Sequence, residues 1–302
     1  MHDDDIPLDD ALIGRLLTDH VPQWSALPRH RLSSSGTDNA LYRLGDDLLL
    51  RLPRRRSSVS AIAKELDWLP HFEDLPLAVP KLRYRGITDL GLPCPFGIFE
   101  WLDGDIATPD RIADPLKAAD DLAAFLHALH RKDTTDAPRA GPDNHRRGVA
   151  LHELSAVTLP AIDILADEID ATAAHALWQR ACALPLPPNP VWLHGDLKAD
   201  NMLVRNGRLH AVLDWGLSAV GDPAADYAAA WVFIDPTARD HFRNALNLSD
   251  EDWSRAEGWA LYGAVIALSY YRGGRNEALC RQCRLTLGRL GLLTPMSVPE
   301  PV

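Results

Sequence analysis

The sequence predicts an α+β protein of two lobes. Residues 1–102 should form a small amino-terminal lobe of antiparallel sheet plus helix, and residues 103–302 a larger, mostly helical carboxyl-terminal lobe. Three observations carry this. Short apolar runs punctuated by Gly45-Asp46 and by prolines fill the first hundred residues, as strands joined by tight turns do. From Asp105 the apolar spacing changes to that of helices. Within the helical lobe a single hairpin stands out, because Asn206-Gly207 separates two apolar runs in VWLHGDLKADNMLVRNGRLHAVLDWG, residues 191–216.

Composition sets the bounds. A chain of 302 residues with 46% hydrophobic content can bury a sizeable core and is too apolar to be disordered throughout. Its acidic start, MHDDDIPLDD, lacks the apolar segment of a secretory signal. The best apolar stretch, Trp259 to Tyr271, falls short of the ~20 residues of a membrane span. A cytoplasmic protein with no membrane partner is expected. A net charge of -11 and a pI near 5.5 disfavour nucleic acid as a partner and suit a cationic small molecule. Four scattered cysteines do not make a disulfide framework, and Cys280 and Cys283 read as reduced residues sharing a helix face.

In chain order, residues 6–20 carry Ile6, Leu8, Leu12, Ile13, Leu16 and Leu17 at amphipathic helical spacing. Ser33 to Asn39 is a run of small and polar residues whose backbone N–H groups can approach phosphate oxygens, although it has a single glycine. Ala40–Leu44 and Leu48–Leu52 read as a hairpin ending near Arg51. Ser57 to Leu69 reads as a helix closed by Pro70, with Glu65 at the border of its apolar stripe. Leu77–Lys81 and Phe96–Phe99 complete a sheet of about five strands, and Phe99 to Gly104 leaves it as a hinge. Asp114-Pro115 caps a helix with Leu116, Ala119, Leu122, Ala123, Leu126 and Leu129 toward the core. His127 and His130 on it lack the partners of a metal site. A loose stretch, 131–147, precedes one helix from about Leu154 to Leu184, and Pro185 to Pro190 forces an extended approach to the next strand. Thr237 to Leu293 reads as three helices with Trp253, Trp259, Tyr262, Tyr270 and Tyr271 in the core and Ser249 as a cap ahead of Asp250-Glu251-Asp252.

The chemistry concentrates in residues 194–216. With Arg205 facing Arg208 across the turn, Asn201 falls opposite Val212 and Asp214 opposite Ala199. Both polar side chains then lie at the open end of the hairpin, roughly 7 to 8 Å apart as diagonal neighbours, close enough to hold one cation. Upstream, Asp196 precedes Asn201 by five residues and Asp214-Trp215-Gly216 follows, the spacing of kinase-type phosphoryl transfer. In that chemistry the first Asp accepts the proton of the substrate hydroxyl, and the Asn and the second Asp hold magnesium. After Gly216 the chain lacks the long segment, closed by Ala-Pro-Glu, that holds a peptide, so no protein substrate is expected.

HGDLKADN, LDWG and GDPAADYA together resemble the aminoglycoside phosphotransferase family. The resemblance implies the bilobal protein-kinase-like fold and transfer of the γ-phosphoryl of ATP or GTP, with Mg²⁺, to a hydroxyl of a small molecule such as an aminoglycoside. It assigns Asp196 as catalytic base, Lys198 to the charge on the moving phosphoryl, and Asn201 and Asp214 to the metal. Nucleotide binding would fall to Ser35, Gly36 and Thr37, to Arg51 held by Glu65, and to Glu100 and Leu102, whose segment offers backbone hydrogen bonds to the base. Arg51 departs from the kinase pattern, which has a lysine there; a guanidinium is a planar fork and an ammonium a point charge, yet both can hold phosphates. Asp226 is expected to brace the catalytic loop through its backbone and Asp222 to support the turn. Two alternatives remain open: a metabolic kinase for choline, homoserine or a sugar, and a silent nucleotide-binding module.

Overall fold

The computed structural model describes residues 6, 8–32, 39–90 and 93–294. Ser35, Gly36 and Thr37 lie outside the described residues. Helix α1 (Asp10–His20) opens the amino-terminal lobe, its first turn capped by Asp9, which accepts from Leu12 N at 2.7 Å. Five antiparallel strands follow: β1 (Arg29–Arg31), β2 (Asn39–Leu44), β3 (Leu48–Pro53), β4 (Leu82–Asp89) and β5 (Pro93–Glu100), in the order β1-β2-β3-β5-β4. Gly45 makes the β2–β3 turn at φ 56°, a left-handed conformation that glycine adopts without penalty. Ile13, Leu16 and Leu17 of α1 pack with Tyr42, Leu44, Leu50, Leu52, Phe96 and Ile98 in one apolar cluster.

The opposite side of the sheet carries α2 (Val59–Trp68), whose Ile62 and Leu66 belong to a second, much larger cluster shared with the helical lobe. Phe72 stacks on Trp215 (centroids 4.5 Å apart) and meets Trp192 edge-on at 5.0 Å. The two lobes are therefore welded by aromatic packing beneath the site. The strand expected at Leu77–Lys81 does not join this sheet. Pro80 has no N–H to give to a ladder, and Leu77 and Val79 are buried in the shared core. Ala78 instead donates to His210 O and accepts from Val212 N, both at 2.9 Å, bridging to the far hairpin.

Beyond β5, residues 101–104 carry neither helix nor strand. Strand β6 (Asp105–Ile106) adds to the hairpin described below. Helix α3 (Pro115–His130) starts at Asp114, which accepts from Leu116 N and Lys117 N at 2.9 and 3.1 Å. The single helix expected over Leu154–Leu184 is two, α4 (Ser155–Ile164) and α5 (Ala171–Cys182). The break arises because Asp170 caps α5 by accepting from Ala173 N at 2.9 Å while Ile169 bridges to Leu293. After β7 (Val191–Leu193), β8 (Met202–Arg205), β9 (Arg208–Val212) and β10 (Ala219–Gly221) come short α6 (Ala224–Tyr227) and α7 (Ala229–Val232), then α8 (Arg239–Ala245), α9 (Asp250–Tyr271) and α10 (Glu277–Arg289). Ser249 and Asp252 form a capping box on α9. Tyr270, expected in the core, is 59% exposed: it follows the last buried residue of α9, Leu268, by two positions and so faces away from it. Cys280 and Cys283 are free and buried.

His130 packs edge-on against Tyr227 with its Nε2 buried and unpartnered. Burial, and secondarily the charge of His127, push its pKa down from 6.5 to about 4. Between those values the unfolded chain binds a proton that the folded protein refuses, so stability is lost as pH falls through this window. Urea midpoints at pH 7.5 and 4.5 should show the wild type losing roughly 2 kcal/mol more than His130→Leu over that interval. Equal losses would show that His130 titrates alike in the folded and unfolded states.

Candidate active site

Strand β7 delivers His194, fully buried, to the start of a loop that ends at β8. Asp226, at the start of the helix behind it, accepts from His194 N (2.7 Å) and Gly195 N (2.8 Å), so one carboxylate fixes both backbone units. Gly195 sits at φ 82°, and a Cβ there would meet Leu217 O at 2.8 Å; the position excludes side chains. His194 Nδ1 accepts from Asp196 N at 3.2 Å and its Nε2 lies 2.9 Å from Leu213 O, which places the ring proton on Nε2. Asp222, behind the loop, takes Arg255 Nε at 3.0 Å and Ala224 N at 3.1 Å, bracing the same turn.

Asp196 is the focus of this loop. Asn201 Nδ2 donates to its carbonyl (2.9 Å) and to its Oδ2 (2.8 Å), and Lys198 Nζ pairs with Oδ2 at 2.8 Å. One carboxylate oxygen is thus doubly held and the other left available, with the side chain 23% exposed. Burial pushes the Asp196 carboxyl up, but the Lys198 ammonium and the Arg147 guanidinium outweigh it and hold it below the usual carboxylate range. Lys198, in turn, is raised despite its burial, because Asp196 favours its charged form.

The hairpin β8–β9 brings the second half of the site. A bulge at His210 shifts the ladder by one residue between Leu203↔Ala211 and Val204↔Leu209. The pairing expected from a regular turn, Asn201 against Val212, is corrected accordingly: Asn201 O accepts from Leu213 N at 2.8 Å, which sets Asp214 next to its cross-strand partner. Asp214 takes a left-handed φ of 63°, uncommon for a non-glycine residue and characteristic of constrained sites. Its Oδ1 accepts from Arg51 Nη2 at 2.5 Å, and its side chain is 48% exposed. Burial raises the Asp214 carboxyl and Arg51 more than offsets this, holding it low.

Arg51 Nη1 also donates to Glu65 Oε1 at 2.7 Å, and that oxygen accepts Trp215 N at 3.1 Å. Glu65 lies inside, not on the surface, at 1% exposure. Asn39, its amide oxygen turned toward the guanidinium, accepts from Arg51 Nη2 and Nε at 2.8 and 3.0 Å. The guanidinium therefore ties β2, β3, α2 and the Asp214 turn together, and Asn39 is a member of this network that sequence spacing offered no signal for. At the other side of the sheet, Glu100 ends β5 paired with Arg83. Leu102 makes no backbone hydrogen bond among the described residues, so its N–H and C=O are available.

Among the described residues no group of three His, Cys, Asp or Glu side chains could hold a metal. Two hard oxygens are left uncommitted here among the described residues: Asn201 Oδ1, whose Nδ2 is taken by Asp196, and Asp214 Oδ2, whose Oδ1 takes Arg51. That set fits magnesium, which takes one or two protein oxygens and completes its shell with phosphate and water. Next to Asp196 opens a cleft of about 220 Å³, reaching from Arg147 and Lys198 to α9 and α10.

The profile of the phosphotransferase enzyme family matches residues 30–259. The chain belongs to that family. An aminoglycoside 3'-phosphotransferase of Escherichia coli is 26% identical over 143 residues, 45% of this chain and 52% of the relative; the match spans about half the length of such curated relatives. By fold, aminoglycoside 2'-phosphotransferase-IIIa, solved with GDP, superposes with a TM-score of 0.71 at 18% identity, over 94% of this chain and 99% of that one. A macrolide 2'-phosphotransferase from Brachybacterium faecium superposes with a TM-score of 0.58 at 21% identity, over 98% of this chain and all of that one. Both structures share the fold described above.

Proposed function

We propose that the protein transfers the γ-phosphoryl group of ATP or GTP to a hydroxyl of a small molecule bound in the cleft beside Asp196. The observation that carries this is the Asp196 carboxylate, ionised, held on one oxygen by Lys198 and Asn201 and open on the other, lining a cleft open to solvent. The free oxygen accepts the hydroxyl proton as the oxygen attacks phosphorus. Lys198 lies against the developing charge of the moving phosphoryl, and Arg51 stands at the phosphate side, oriented by Glu65. Asn201 and Asp214 are the residues that would hold Mg²⁺, which offsets the charge of the phosphate chain when bound. The base of the nucleotide would take its hydrogen bonds from the backbone between Glu100 and Leu102.

The relatives' names point to antibiotics as the acceptor class, and the cleft residues bear on which kind. Two measurements test the reading. Phosphorylated product should appear by mass spectrometry when ATP or GTP, Mg²⁺ and a hydroxylated antibiotic are supplied. Asp214→Ala should weaken Mg²⁺-dependent nucleotide binding by about tenfold or more in a calorimetric titration. Nucleotide affinity that ignores both magnesium and this substitution would overturn the reading.

A further inference from the structure

The cleft beside Asp196 has an unusual balance of chemistry. Its walls come from Val232, Trp259, Leu279 and several alanines, with Gln282 and Thr286 as neutral polar members, and among the described residues Asp196 is the single carboxylate lining it. Its two cations differ: Lys198 is paired with Asp196, while the side chain of Arg147 makes no hydrogen bond or ion pair among the described residues. Arg147 lies over the Tyr262 ring at 5.4 Å, and its Nε is buried without an acceptor. Trp259 Nε1, on the same wall, is a second buried donor without an acceptor.

The backbone around Arg147 is built to hold it there. His145 (φ 54°), Arg146 (φ 60°) and Gly148 (φ 90°) are all left-handed, a costly run for side chains that a structure keeps only when surrounding contacts impose it. Here Asn144 imposes it, donating to Arg147 O at 2.7 Å and to Leu217 O at 3.3 Å while accepting from Gly141 N at 2.9 Å. Arg147 Cβ lies 3.4 Å from where a Cβ on Gly195 would be, so the guanidinium stands beside the catalytic loop. With no hydrogen-bonded protein anion among the described residues, this guanidinium has donors free for an incoming group, and its planar fork matches a carboxylate.

We propose that the acceptor is a largely apolar alcohol carrying an acidic group, and that Arg147 binds that group while the apolar walls bind the body. The hydroxyl half of this statement rests on the phosphoryl-transfer reading; the recognition half does not. A polycation would meet Arg147 and Lys198 with no carboxylate to offset them beyond the one engaged in chemistry.

Direct binding tests recognition with three probes, measured calorimetrically without nucleotide: cholate, a rigid apolar hydroxy acid; cholamide, its uncharged amide; and kanamycin, a polycation. Wild type should bind cholate about tenfold tighter than cholamide and kanamycin weakest. In Arg147→Gln the cholate preference should fall to about twofold or less, and Arg147→Lys should retain part of it, with thermal unfolding recorded for each to confirm folding. No cholate binding, equal binding of cholate and cholamide by the wild type, or a preference that survives in Arg147→Gln overturns the proposal. Turnover separates it from the broader reading. If Arg147→Gln lowers kcat equally for charged and uncharged acceptors with KM unchanged, Arg147 serves the phosphoryl group, and the acceptor class falls while phosphoryl transfer stands. If cholate binds through Arg147 and no acceptor is phosphorylated, recognition stands and phosphoryl transfer falls.

Discussion

Asp196→Ala is expected to lower kcat by roughly 10² to 10⁴ while nucleotide affinity stays within about twofold of wild type. The loss should fall on turnover because, on the proposed reading, Asp196 itself holds neither nucleotide nor metal: its Oδ2 is committed to Lys198 and Asn201, and the residues proposed to hold the metal are Asn201 and Asp214. The same geometry sets a pH dependence. A base must be deprotonated to act, and Lys198 and Arg147 hold this carboxyl below its ordinary range against the effect of burial. The acid limb of kcat/KM should therefore lie below the range of an ordinary carboxyl, leaving the rate insensitive to this group through neutrality. Neutralising Lys198 as Lys198→Met should move that limb upward. A variant at Asp196 that keeps wild-type kcat would remove the base from the mechanism.

Asp226→Ala carries the largest expected effect on stability. Its two oxygens accept from His194 N and Gly195 N inside the core, and no other acceptor reaches those donors. Leaving two buried N–H groups unpaired costs about 1–3 kcal/mol each. Some of that is offset because a buried carboxylate is itself costly, as the upward push of burial on the Asp226 carboxyl indicates. A net loss of about 3 kcal/mol, or about 6 to 10 °C in Tm, is expected, together with a fall in kcat, since His194 and Gly195 lead directly into Asp196. Asp226→Asn, which keeps one acceptor, should lose about half as much. A Tm within a degree of wild type in thermal melts of Asp226→Ala would mean that the loop is held by something else.

Both residues were expected from the sequence, Asp226 as the brace that hydrogen bonding to His194 N and Gly195 N now shows it to be. Asp196, Asn201 and Asp214 were legible because their relation is local: a loop of fixed length and an Asn-Gly turn bring them together within about twenty residues, and backbone preferences decide such turns. Pairing of Glu65 with Arg51 was legible for a similar reason, a strand followed at once by a helix whose stripe points back at the sheet. Even there, the bulge at His210 moved the register by one; a bulge depends on what each strand packs against, here the bridge from Ala78.

Local signals in the chain therefore set the two-lobed α+β order, the hairpin and the short-range chemistry of the catalytic loop, because periodicity and turn residues act within a few dozen positions. Long-range packing settled the rest: that Leu77–Val79 joins the far hairpin instead of the sheet, that one expected helix is two, and that Tyr270 faces out. It also placed Asn39 on the Arg51 network and left Arg147 unpaired beside an apolar cleft. The bridge of Ala78 to the far hairpin and that of Ile169 to Leu293 are contacts between residues distant in the chain, and such contacts are selected by the packing of whole elements, which no local spacing encodes.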